Sequence, residues 1–184
     1  MISAESPPSD YRLLVPRDWF RVDLTHDRWR RQLKTFVDKE SQNSGLPAEV
    51  AREIWTSLRN TVEVGLGEGA LEFFLRTEMS ESSESAAPAS LLVALALTPK
   101  GLAPQAAEFG QVLCRRVGDA AEVDVVTLPA GATVRVRTDA TVDYHVRMPG
   151  AVGYLHLAFS LPVSGVRSPM GELCDAMAHS LRWV

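Results

Sequence analysis

The chain has 184 residues, of which 46% are hydrophobic and 23% charged, the composition of one globular domain able to bury a sizeable core. A formal net charge of −4 argues against nucleic-acid binding through a broad basic surface, and no apolar run approaches the roughly 20 residues that span a bilayer. The polar opening MISAESPPSD lacks the basic and apolar regions of a leader peptide, so a cytoplasmic protein that keeps its own N-terminus is expected.

Residues 1–10 read as a disordered tip. Tyr11 to Val15 is a short strand, Pro16-Arg17-Asp18 turns it, and Trp19 to Leu24 alternates as a second strand with Phe20, Val22 and Leu24 on one side. Thr25 is the expected N-cap of a helix carrying Trp29, Leu33, Phe36 and Val37 at helical spacing. Its outer face holds Arg28, Arg30, Arg31 and Lys34, which suits either an acidic partner or a plain solvated helix surface.

Ser41 to Gly45 breaks this helix. Pro47 opens a second one running to about Gly65, with Val50, Ile54, Leu58 and Val62 in one stripe. Gly65, Gly67 and Gly69 follow a helix, whereas a dinucleotide loop follows a strand, so they are no phosphate loop. Ala70 to Glu78 and Ser90 to Thr98 pair as a hairpin. Between them lies an acidic, serine-rich stretch (79–89) expected to be a mobile loop. A third helix from about Pro104 to Val117 buries Ala106, Phe109, Val112 and Leu113, with Gly118 as its C-cap.

Four strands then follow in succession as EVDVVTL, ATVRVRT, TVDYHVRM and VGYLHLAFSLPV. Their short connections allow only antiparallel neighbours, so they form a meander with one apolar and one polar face. Leu155, Leu157, Phe159 and Leu161 point inward. The last helix, with Ser168 as N-cap and Pro169 at its first position, carries Met170, Leu173, Cys174, Met177, Leu181 and Val184 in a stripe lasting to the C-terminus. The expected fold class is α+β: a twisted antiparallel sheet of about six to eight strands, flanked by helices.

The polar face of the last hairpin holds the one constellation with chemistry in it. With Pro149-Gly150 as a two-residue turn, His145 lies opposite Tyr154 and Asp143 opposite His156, where carboxylate and imidazole can hydrogen-bond. Arg135, Arg137 and Arg147 are expected on that face too. A carboxylate-oriented histidine is the arrangement of a general base, and two His with one Asp form a feasible metal set, but a polar outer face explains the same residues. No nucleophile elbow, P-loop, C-x-x-C or H-E-x-x-H occurs, the aromatics do not interleave with lysines, and no cofactor is expected. The two cysteines, Cys114 and Cys174, have no metal spacing and read as buried free thiols.

In its order of elements the chain resembles the Mog1/PsbP-like fold, on the strength of the opening Tyr11-Arg12-Leu13-Leu14-Val15-Pro16-Arg17-Asp18-Trp19 and the closing helix from Pro169. It is also similar to uncharacterised actinobacterial proteins sharing YRLLVPRDWFRVDLT and LCDAMAHSLRWV, some encoded beside type VII secretion components. The resemblance implies a twisted sheet with flanking helices and no shared catalytic motif. The expected function is therefore a non-catalytic cytoplasmic interaction, scaffold or accessory protein with a protein partner, and the likeness implies an association with secretion. The alternative is a small-molecule or metal-binding protein centred on Asp143, His145 and His156.

Overall fold

The computed structural model describes residues 6–76, 87–99 and 101–184. Its elements in chain order are β1 (Tyr11–Arg12), β2 (Phe20–Asp23), α1 (Trp29–Asn43), α2 (Ala48–Gly67), β3 (Ala70–Arg76), β4 (Ala89–Leu97), α3 (Ala106–Val117), β5 (Glu122–Leu128), β6 (Gly131–Arg137), β7 (Thr141–Arg147), β8 (Gly153–Ser160), α4 (Pro169–His179) and β9 (Arg182–Trp183). Seven strands form one antiparallel sheet in the order β2-β3-β4-β8-β7-β6-β5, and β1 pairs with β9 beside it. The fold is α+β, as the alternation and helical stripes require. After β4 the chain crosses through α3 to the far edge, then walks back by hairpins until β8 pairs with β4 along its length.

Helices cover both faces. On the front face α1 packs on β2, α2 on β3 and β4, and α3 on β5 and β6. On the back face α4 lays Cys174, Met177 and Ala178 against Leu91, Val93, Tyr144, Leu157 and Phe159. The apolar parity switches along the meander. In β5 and β6 Val123, Val125, Val134 and Val136 point forward, Val134 and Val136 packing beneath Ala106 and Leu113 of α3. In β7 and β8 the apolar residues Val142, Tyr144, Val146, Leu155, Leu157 and Phe159 point backward. The expectation of one greasy and one polar face is thus corrected: each face is apolar over part of the sheet and polar over the rest. The cause is the β6–β7 connection, which pairs Arg137 with Val142 and so sets Arg135 beside Tyr144.

Several boundaries also differ. Thr25 does not cap α1; its N–H and hydroxyl both donate to Asp23 Oδ1, at 2.9 and 2.6 Å, in a turn before the helix, whose N-cap is Arg28. Val112 is 50% exposed, and Gly110 takes the buried position next to it. The last helix ends at His179, after which Arg182 and Trp183 turn into β9 rather than extending the stripe, and Val184 is half exposed. The polar tip is ordered sooner than expected, since the Ser9 and Asp10 N–H groups both donate to the Val184 carbonyl at 2.9 and 3.2 Å. Only Tyr11–Arg12 of the first expected strand pairs, with the C-terminus. Most of the serine-rich stretch, residues 77–86, lies outside the described residues, as do residues 1–5. The Ser168 cap is as expected: its Oγ accepts from the Gly171 N–H at 3.2 Å. Cys174 is buried, but Cys114 is exposed.

Candidate functional site

Among the described residues no helix is centred over the front face of β8 and β7, although Phe109 of α3 reaches His145 and Tyr154 there. α2 lies above β3 and β4 and α3 above β5 and β6. Their axes therefore stand about four strand spacings apart, roughly 19 Å, against the roughly 8–10 Å of packed helices. The seam between them is floored by Thr141, Asp143 and His145 of β7 and by His156, Ala158 and Ser160 of β8, all partly exposed. Ala94 of β4, buried under α2, pairs with His156, and the exposed Ala96 pairs with Tyr154. Val112 and Phe109 share one flank of α3, and Phe109 touches His145. Val64, 65% exposed, sits on the flank of α2 turned away from α1, to which Glu63 is tied through Arg30. A polar floor thus runs between two rims, each carrying one exposed valine, Val64 on α2 and Val112 on α3.

The register at the floor is not the one a two-residue turn would set. His145 pairs with His156, Arg147 with Tyr154, and Asp143 with Ala158. The connection is longer because Pro149–Ala151 forms a 3-10 turn, with Gly150 at φ 74° and Ala151 at φ 53°. The shift is two residues, so the faces are unchanged. The two imidazoles stack with centroids 4.2 Å apart and planes 16° from parallel. The expected contact between Asp143 and His156 forms on the diagonal, with Nε2 and Oδ1 3.0 Å apart. The His145 ring also takes the Phe109 edge at 5.4 Å. Burial, with the neighbouring His156 charge adding to it, pulls the pKa of His145 down to about 3, so His145 is neutral at pH 7.

The lower end of the seam is closed. Phe109 packs on Tyr154 at 4.6 Å, and the Tyr154 hydroxyl donates to the Pro104 carbonyl at 2.7 Å. Arg147 Nε and Nη2 donate to the carbonyls of Pro104 and Ala103 at 3.0 and 3.1 Å. Both residues therefore dock the chain leading into α3 onto the sheet. Burial also raises the Tyr154 pKa.

Arg135 and Arg137 are not part of this group. They lie on the back face, Arg135 held by Asp124 at 3.0 Å and Arg137 by Glu122 at 3.0 Å and Asp124 at 3.5 Å. The basic face of α1 is partly neutralised: Arg30 bonds Glu63 at 3.1 Å and lies over the Trp29 ring, and Lys34 bonds Asp38 at 2.6 Å. Arg28 and Arg31 project at the exposed surface. Sequence reasoning missed a cleft of about 800 Å³ at the back rim, lined among others by Cys114, Glu122, Arg137, Asp139, Arg167 and Asp175. Its walls come from segments distant along the chain, so no local pattern signals it. Beside it the Tyr144 hydroxyl donates to Asp175, tying α4 to the sheet.

Chemically, the seam offers a carboxylate and an imidazole in contact, flanked by hydroxyls. Among the described residues no hydroxyl or thiol is hydrogen-bonded to either ring, and no group of three or more His, Cys, Asp or Glu is placed to hold a metal. Compared with family models, curated proteins and solved structures, the chain matches none.

Proposed function

We propose that this is a non-catalytic interaction protein that receives a segment of a protein partner in the front seam. The observation carrying the proposal is the gap in the helical layer: among the described residues the two central strands carry only Phe109 over their lower end, although helices flank them on both sides. Hydroxyls, Asp143 and His156 would meet the polar side of the segment, and Val64 and Val112 its apolar edges, the usual division of a groove for a partner chain. No described helix is long and apolar enough to cross a membrane. The Mog1/PsbP-like resemblance fits this reading, since that fold hosts partner-binding proteins.

Ala158→Arg tests the proposal, because it fills the trough and gives Asp143 a neighbouring cation. Wild-type protein should retain one stoichiometric partner from its native lysate, Ala158→Arg should lose that same partner, and Arg31→Glu on α1 should keep it. Equal recovery by wild type and Ala158→Arg would refute the seam as the docking site.

A second reading, small-molecule binding, is favoured by one observation: His156 and Asp143 are in contact yet 23% and 29% exposed at the trough floor. A ligand bound there should raise the melting temperature of wild type and not of His156→Gln. A thermal-shift screen that leaves both proteins unmoved eliminates this reading.

A further inference from the structure

The two edges of the main sheet are unlike. β2 is four residues long, whereas β5 runs for seven in regular register with β6. Among the described residues no backbone hydrogen bond reaches the outer side of β5. Open edges are usually blunted by charged residues, above all Lys, or by Pro, a bulge or a covering segment. β5 has no Lys, Pro or bulge, its two acids Asp124 and Glu122 are held by Arg135 and Arg137 of the neighbouring strand, and Val125 at its middle is 52% exposed. The hairpin closes on Leu128 and Gly131 through two residues, so Val123, Val125 and Thr127 turn their N–H and C=O groups outward.

The helix above this edge supplies an independent observation. A Cβ built on Gly110 would meet Val125 Cγ2 at 3.2 Å, which places the middle of α3 over the middle of β5. Ala106, Gly110 and Leu113 face the sheet and Phe109 leans toward β7 and β8. The opposite flank, toward the open edge, is then Ala107, Gln111 and Cys114, all exposed and all uncharged. Of the helix's charged residues, Glu108 and Arg116 lie off that flank, and Arg115 stands one turn beyond Gln111, to whose carbonyl its Nε donates at 3.3 Å.

We infer that β5 is the self-pairing edge of a two-fold dimer, its occupant being a second copy of this chain. An antiparallel β5–β5 pair centred on Val125 sets Val125 against itself and Val123 against Thr127. It also sets Asp124 against Val126 and Glu122 against Leu128. Every residue of the strand finds a partner and no two acids face each other. Sliding two residues toward the N-terminus would oppose Asp124 to Glu122, and sliding one toward it would set Asp124 against itself; sliding toward the C-terminus would leave Glu122 and Val123 without a strand partner, so charge and pairing length together select the centred register. Because α3 sits between β5 and β6, the two α3 axes would stand about two strand spacings apart, roughly 10 Å, the separation of packed helices. The uncharged flanks would then meet across the axis, making the contact isologous. This inference does not depend on the seam, which lies on the other side of α3.

Sedimentation of the full chain tests it. Wild type should show a species of twice the 20.1 kDa chain mass that grows with concentration. Val125→Lys, the natural device against edge pairing, should weaken association at least about tenfold. Gln111→Glu leaves the strand intact and should also weaken it, with recovery as added salt screens the two carboxylates. It decides the matter should Val125→Lys fail to fold. A chain that stays monomeric up to about 200 µM, or a dimer indifferent to Gln111→Glu, overturns the inference.

Discussion

Acidification from pH 6.5 to pH 4 should cost the folded protein roughly 3 kcal/mol through His145 alone. The folded-state pKa is about 3 because the ring is buried under Phe109 and stacked on His156. The unfolded chain takes up the proton near pH 6.5. Below that pH the unfolded state binds a proton that the folded state refuses, so stability falls by up to about 1.4 kcal/mol per pH unit until the folded ring itself titrates. Against a total of about 5–15 kcal/mol, that is a large fraction. Other groups also respond to acid, so the informative quantity is a difference. His145→Phe keeps an aromatic ring of similar size and removes the titration. Urea midpoints measured from pH 7 to pH 4 should fall more gently for this variant. Parallel curves for the two proteins would show that His145 does not carry the effect.

Gly171→Ala should be the most damaging small substitution in the back layer. A Cβ there would stand 1.8 Å from the Val166 carbonyl oxygen and 3.1 Å from its Cα. The opposing backbone has little freedom to retreat, because the Val166 N–H donates to Asp139 at 2.9 Å and the Gly165 N–H to Leu161 at 3.0 Å. Relief therefore requires α4 to shift, and α4 supplies Cys174, Met177 and Ala178 to the core. The expected loss is about 3 kcal/mol, or roughly a 10 °C lower melting temperature. Gly67→Ala is the control: no atom lies within 4 Å of its Cβ, and it ends a helix that favours alanine. Equal melting temperatures for Gly171→Ala and wild type would contradict this packing.

The elements themselves were legible in the sequence because their periodicities are local. The alternation of Val134, Val136, Val142, Tyr144 and Val146 marks strands, and the spacing of Leu58 and Val62 marks a helix. Their assignment to faces was not legible. Whether Arg135 joins His145 depends on which residue Arg137 pairs with, and that is set by the backbone at Thr138–Thr141 rather than by any pattern. The same holds for Asp143 and His156: their contact was readable, but through a wrong register, since Gly150 and Ala151 both adopt positive φ and lengthen the turn. The seam was invisible for another reason. It exists only because β8 and β7 lie between the strands that α2 and α3 cover, and strand order is a property of the whole chain. The end of α4 was misjudged because Leu181 continues the apolar spacing, although its backbone has left the helix.

The position of β8 also governs how the chain must mature on the ribosome. β4 is complete at Leu97 with β3 already beside it, but its second neighbour, β8, begins only at Gly153, after α3 and three other strands. At about 5–20 residues per second that neighbour arrives roughly 3–11 s later. Until then Leu91 and Val93, fully buried in the finished protein, border an unsatisfied strand on the nascent chain. The N-terminal half thus emerges as an apolar sheet fragment awaiting its centre, and that interval is when a trigger-factor type of holdase has most to shield.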